Sequence, residues 1–380
     1  MWGFLPHTDG RAPLPNLKQQ EREKGCVVTN ATLLRLSYRT RKNTMKITDG
    51  SHVYVDGVTM ANYATGYTGN NLADNALLEV SSGGVLTLRS GNFLCEAGLE
   101  AKDLVYADTT NRIVVTGTGS KIICPATLVS SNPMGFAVGN NYGHNSLIVS
   151  DGGELVAPYR FYLGFSGNAN TNNAVFETGA RFTLGGLYVG EKGSCGNTIE
   201  FKSGASGTIA LGVRIGGWTG AGCGNTMLIS NATVSVTGVF GVGAPSDTID
   251  VSGMFGNNLT LKGTAPSLTI SGSLIFKNRS FLLIEIPHGG HADGIVPISA
   301  NAVTVDATSS LKVNIESLRG MSGNHTLIST ANGITVPAAV LSAANAQLSA
   351  QSDGMAKLML ADGGKSLVLK VAKGMVVSFR

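Results

Sequence analysis

Charge is what this chain has least of. Asp, Glu, Lys and Arg make up 14% of its 380 residues, against roughly a quarter in average soluble domains. Even that small amount is unevenly spread. Residues 1–46 hold nine Lys and Arg against three Asp and Glu, which leaves the body near neutral and slightly acidic despite a formal +4. A body without a basic surface excludes nucleic acid as a partner. Aromatics are scarce as well, at 6% with two Trp. No apolar run reaches the length of a membrane-spanning helix. The first residues contain no apolar core of secretory-signal length, since Cys26–Leu36 is interrupted by Thr, Asn and Arg. The five cysteines (Cys26, Cys95, Cys124, Cys195, Cys223) show no CxxC or CxxH spacing, which removes support for a zinc site.

What is abundant is glycine, 51 residues and about twice the usual share. With it come Asn, Ser and Thr, which must supply the solubility that charge does not. This balance suits an extracellular β-rich protein better than a cytosolic enzyme.

Between Gly135 and Gly243 these residues fall into a repeat. A short apolar segment ends in glycine, a polar loop follows, then an asparagine, then a strand with apolar residues two and four positions on. The copies are Phe136-Ala137-Val138-Gly139 to Asn145, Tyr162-Leu163-Gly164 to Asn172, Leu187-Tyr188-Val189-Gly190 to Asn197, and Val213-Arg214-Ile215-Gly216 to Asn225. A looser copy begins at Asn111, and Asp247 is expected to be the next anchor, which makes the intervals 34, 27, 25, 28 and 22 residues. The apolar pairs are Leu147/Val149, Ala174/Phe176, Ile199/Phe201, Met227/Ile229 and Ile249/Val251. Alternation of this kind turns each pair to one face of a strand. A turn residue and a second short strand follow each pair.

Three short strands per 22–28 residues fit a coil of three sides. One coil cannot bury its own apolar face, but stacked coils share a continuous core. Asn145, Asn172, Asn197 and Asn225 are therefore expected at corners, where Gly and Asn enter the left-handed region at low cost. There they can hydrogen-bond from coil to coil. Cys195 and Cys223 each stand two residues before their anchor, so equivalent positions on adjacent coils bring their Cα atoms to about 4.8 Å, within disulfide reach.

The expected fold is all-β: a right-handed parallel β-helix with three short strands per coil over residues 46–276. A disordered basic tail is expected at 1–45 and a small α+β cap at 277–380. Within the cap, Pro337–Leu348 reads as the one helix, with proline at a favoured first-turn position.

The glycine, polar loop, Asn-x-Leu-x-Val-x-x-Gly-Ala pattern resembles the β-helical passenger repeats of autotransporter-type bacterial surface proteins. The resemblance is best at Asn145–Gly153, Asn197–Ala205 and Asn225–Ala232. It implies an exported, elongated scaffold used for adhesion, display or surface structure, with surface glycans or other surface proteins as partners. The 104 residues after Phe276 are too few for a twelve-stranded membrane barrel with turns.

The candidate chemistry is sparse. Tyr142, Phe165 and Trp218 each follow the glycine of their coil by one to three residues and would form a strip for stacking sugar rings. His288-Gly289-Gly290-His291-Ala292-Asp293 has the residue types of a metal site, but a glycine-rich polar loop after Pro287 explains it as well. No second cluster completes it, and no metal or cofactor is expected. Glu177 and Glu200 are the one pair of acids on neighbouring coils. They carry the alternative reading, a polysaccharide lyase or glycoside hydrolase, whose chemistry needs carboxylates or a base facing one cleft. A non-enzymatic scaffold is the leading expectation.

Overall fold

The structure is a computed structural model that describes residues 26–36, 42–60, 75–95, 111–127, 135–141, 143–217, 220–243, 254–292 and 294–372. It is a stack of parallel coils. One side is a ten-stranded sheet whose strands lie in chain order, from Thr44–Ile47 through Asn145–Ser150, Asn173–Phe176, Thr198–Lys202 and Thr226–Ser230 to Ser310–Ile315. Each strand pairs in parallel with the equivalent strand one coil away.

The second and third sides form a single 17-stranded sheet, because in several coils one strand runs round the corner between them. Glu154–Leu163, Arg181–Val189, Ser206–Ile215 and Ser267–Phe276 do this, with register shifts such as that between Ala157 and Arg160 marking the bend. Three strand segments per coil result.

The inward residues follow from the pattern. Val149, Phe176, Phe201, Ile229, Leu261 and Ile284 form one column of register partners, all fully buried. Phe176 and Phe201 stack with centroids 5.1 Å apart. On the third side Phe93, Phe136 and Phe161 make a second column, with centroids at 4.4 and 5.4 Å. Each such side chain contributes about 1.5–3 kcal/mol by leaving water, so stability grows coil by coil.

Two kinds of corner repeat. After the first side, the pairs Asp49-Gly50, Ser82-Gly83, Asp151-Gly152, Thr178-Gly179 and Ser203-Gly204 both take positive φ. An i to i+3 hydrogen bond closes each turn, as from the Gly153 N–H to the Ser150 carbonyl. Two consecutive left-handed residues define a type I′ turn. Before the first side, Gly139, Gly164, Gly190 and Gly216 also have positive φ. A Cβ on any of them would fall 2.1–2.6 Å from Nδ2 of Asn172, Asn197, Asn225 or Asn257 respectively. The glycine of one coil is thus the seat for the asparagine of the next, which explains why the two residue types recur together.

Those asparagines form a continuous buried ladder. Nδ2 donates to the next Oδ1 along Asn111, Asn145, Asn172, Asn197, Asn225 and Asn257, at 2.9–3.1 Å. From Asn145 onward the backbone N–H of each donor also reaches the same oxygen, at 3.0–3.1 Å. The remaining Nδ2 proton goes to a loop oxygen, such as Gly143 O, Ala169 O or Gly222 O. A buried primary amide is costly unless satisfied, and here the stacking of coils satisfies it.

The structure corrects several expectations. The rung after Asn225 is Asn257, not Asp247, because this coil is 32 residues long; Asp247, Ile249 and Val251 lie outside the described residues. Leu259–Leu261, Leu268–Ile270 and Leu274–Phe276 are the three sides of one full coil. Nor does the stack end at Phe276. Phe281–Ile286 and Ser310–Ile315 continue the ten-stranded sheet, and Ile298–Val305 pairs in parallel with Ser267–Phe276. Serine replaces asparagine at the corner in these coils, with Ser280 and Ser309 Oγ atoms 3.3 Å apart, so the asparagine signal disappears while the coil persists.

The closing element therefore begins near residue 336. The helix spans Ala338–Ser352, four residues beyond the expected end, with Pro337 at its N-cap and Asp353 in the left-handed C-cap position. It buries Val340, Ala344 and Leu348. An antiparallel pairing of Ser366–Val371 with Gly323–Thr330 and Ala356–Ala361 completes this end. At the other end, the segment expected to be an irregular tail contains the strand Val27–Leu36, paired in parallel with His52–Met60, and the first strand of the ten-stranded sheet. Residues 1–25 lie outside the described residues.

Candidate functional site: an arginine and tyrosine strip on the third side

Strand alternation on the third side sends Phe161 and Leu163 inward and Tyr162 outward. The next coil does the same with Leu187, Tyr188 and Val189, and the one after with Val213, Arg214 and Ile215. Tyr162, Tyr188 and Arg214 are register partners, so they form an outward column over three consecutive rungs. The two tyrosine rings stack at 5.1 Å and 24°. The Arg214 guanidinium lies over Tyr188, 5.2 Å from its centroid. Tyr188 folds back across Gly186, where a Cβ would come within 2.6 Å of the ring.

Arg160 occupies the same face two residues before Tyr162. Its Nη1 donates to the Tyr162 hydroxyl at 3.3 Å, and its guanidinium sits 4.9 Å from the Tyr159 ring. On the far side Phe165 meets Tyr162 edge-on at 4.9 Å, and Lys192 Nζ lies 4.1 Å from the Phe165 centroid. The exposed Leu211 (64%) and Val239 (45%) flank the strip at the neighbouring corner. Ala137 and Gly241 hold the column positions beyond its two ends.

Burial governs the titration here. It raises the Tyr162 pKa, outweighing the opposing hydrogen bond and charge of Arg160, so the hydroxyl stays protonated. Burial also lowers Arg214 from its ordinary range, against the upward pull of Tyr188 and the buried Glu191. For Arg160 the hydrogen bond and charges of the tyrosines overcome burial and raise it. At neutral pH the strip presents two guanidinium groups and the neutral Tyr162 phenol.

Several of the ring faces are already used. Tyr188 is covered by Tyr162 and Arg214, and Phe165 by Lys192. Of the expected sugar-stacking strip, Phe165 carries Lys192 over its ring, and Tyr142 and Trp218 lie outside the described residues. What the strip offers instead is guanidinium N–H and phenol O–H, donors suited to oxyanions. A signal for it was present in the sequence: Tyr162, Tyr188 and Arg214 each stand two residues before the glycine that closes their side.

The other candidates are placed as follows. Cys195 and Cys223 are joined by a disulfide, S–S 2.03 Å and Cα–Cα 4.6 Å, across adjacent coils. Asn145, Asn172, Asn197 and Asn225 are the buried corner ladder. Glu200 pairs with Lys202, and Glu177 follows the strand Asn173–Phe176 as the first residue of the turn to the second side. His291 Nδ1 bonds the Gly263 carbonyl at 3.0 Å, and burial lowers its pKa. His288 donates its backbone N–H to Glu316, and Asp293 lies outside the described residues. Among the described residues no three His, Cys, Asp or Glu side chains gather as a metal would require, and no helix is long and apolar enough to cross a membrane. A cavity of about 310 Å³ between the closing helix and Ser310–Ile315 is lined by residues such as Ala307, Lys312, Ala343 and Gln347, with no acid or histidine.

No protein-family model, curated protein or solved structure matches this chain.

Proposed function

We propose that the chain is a non-enzymatic β-helical scaffold, secreted or held at a cell surface, acting in adhesion, display or surface structure. The observation that carries this reading is the division between a repeating interior and a varied exterior. Corner asparagines and inward apolar residues recur from coil to coil, whereas no acid, base or ligand does. A disulfide between adjacent coils supports an oxidising compartment, since such bonds persist outside the reducing cytosol. The resemblance to autotransporter passengers supports the same class.

The test is location together with turnover. Labelling of intact cells by a membrane-impermeant amine reagent should modify the chain, and labelling only after lysis would overturn the reading. Acidic polysaccharide incubated with the protein should keep its length. The second reading, a polysaccharide lyase, draws on Arg214 as a charge that would neutralise the sugar acid. Appearance of unsaturated uronides, lost in Arg214→Gln, would replace the scaffold reading with that one.

A further inference from the structure

We propose that His291, His325 and Met321 hold a single Cu(I) ion at the corner after the first side, next to the closing element. Such a site is separate from the strip and does not depend on the scaffold reading.

Earlier coils close this corner tightly: Thr198–Lys202 passes to Ser206–Ile215 through Ser203-Gly204. The last coils open it into longer loops, from Ile286 to Ile298 and from Ile315 to Gly323. The first of these loops carries His291 and the second Met321, while His325 stands on the strand Gly323–Thr330 that follows. The His291 loop is tied on both sides. Ala292 N–H reaches the Thr264 carbonyl at 2.8 Å one coil back, and His288 N–H reaches the Glu316 carboxylate at 3.0 Å one coil on.

The other two donors bracket His291. The residue before it, Gly290, lies against Met321: a Cβ there would be 3.5 Å from Cε and 3.9 Å from Sδ. Beyond it, the turn closed by the Ile295 N–H on the Ala292 carbonyl leads into Ile298–Val305, the parallel partner of the strand that bears His325. Burial lowers the His291 pKa against the bond to Gly263, and the nearby His325 lowers it further.

The His291 imidazole has the form a ligand needs. A carbonyl only accepts, so the 3.0 Å bond between Nδ1 and Gly263 O puts the ring proton on Nδ1 and leaves a lone pair on Nε2. Metal-bound histidines are oriented by a bond of this kind from the other ring nitrogen. Nε2 of His291 and Nε2 of His325 are both buried, with no hydrogen-bond partner among the described residues. Buried nitrogens are costly to leave unmet, and one bound ion satisfies two of them together. No carboxylate or thiolate joins the two rings among the described residues. Imidazole with a thioether selects copper in its soft monovalent state over zinc, whose structural sites take four ligands.

The experiment titrates the full chain with Cu(I) under anaerobic conditions, in competition with a chromophoric Cu(I) chelator. A non-thiol reductant spares the Cys195–Cys223 disulfide. The titration is repeated with His291→Gln/His325→Gln, Met321→Leu, Cys26→Ser and the distant control His52→Gln, each checked for folding by near-UV circular dichroism. The parent should take up one equivalent. Loss of both imidazoles should weaken binding about tenfold or more, Met321→Leu should weaken it less, and the other two variants should match the parent. X-ray absorption of the loaded parent should show imidazole nitrogen and a thioether sulfur around copper, a readout that needs no variant to fold. No uptake of Cu(I), full affinity in the folded double variant or in Met321→Leu, or a shell of thiolate sulfur alone overturns the proposal. So does loss of binding in Cys26→Ser, or Zn(II) that displaces Cu(I) at equal concentration.

Discussion

The corner before the first side and the outer face of the third side lie only a few residues apart in every coil, yet they obey opposite rules. At the corner the same two residue types return rung after rung: a glycine that leaves space, and an asparagine that fills it and bonds to the next. On the outer face Ala137, Tyr162, Tyr188, Arg214 and Gly241 occupy one column with little chemistry in common. The corner is constrained because its asparagine amides are buried and bond to the adjoining loop and to the asparagine of the next coil. The outer position is constrained only by strand geometry, so it is free to carry recognition. Repetition in this molecule therefore marks what holds it together, and departure from repetition marks where it can act.

Substitutions can break this contrast, and the ladder should respond most. Asn172→Ala removes the acceptor for both the N–H and Nδ2 of Asn145, leaving two buried donors at about 1–3 kcal/mol each. Urea unfolding should show a loss of about 2–6 kcal/mol. Next comes the coil-linking disulfide. Cys195→Ser/Cys223→Ser should lower stability by about 3 kcal/mol, measured as a shift in midpoint against the oxidised parent, and reductant should shift the parent to the same value.

Gly190→Ala tests the seat itself. Its φ of 80° and the 2.1 Å approach of Asn225 Nδ2 predict a loss of roughly 2–4 kcal/mol. The same change at Gly179, also left-handed but with nothing within 4 Å, should cost only the backbone term of about 1–2 kcal/mol. Thermal melts of the two variants side by side would show whether the asparagine contact adds to the strain. The outer strip should respond least: Arg160→Gln/Arg214→Gln should change stability by less than about 1 kcal/mol, as half-exposed substitutions usually do.

The same contrast explains what the sequence could and could not reveal. The inward pairs at two and four residues past each asparagine were legible because a buried strand face tolerates few residue types. Asn172, rather than Asn173, sets the register in the third copy, and that register puts Cys195 beside Cys223. Asn257 was hidden by the 32-residue length of its coil, and Asp247 stood closer to the average interval. The coils after Phe276 were hidden because serine at 280 and 309 takes the corner without asparagine's signature. Val27–Leu36 was obscured by the basic residues on either side of it. The strip escaped notice because Tyr, Tyr and Arg look unrelated until the strands are aligned on their closing glycines. At Phe165, sequence spacing gave no sign of the Lys192 ammonium over its ring.

The most direct test of this division is a single set of urea unfolding curves for Asn172→Ala and Arg160→Gln/Arg214→Gln beside the parent. The ladder variant should lose about 2–6 kcal/mol, and the strip variant should stay within about 1 kcal/mol of the parent. Equal losses in the two variants, or a larger loss in the strip, would contradict the assignment of stability to the repeating interior.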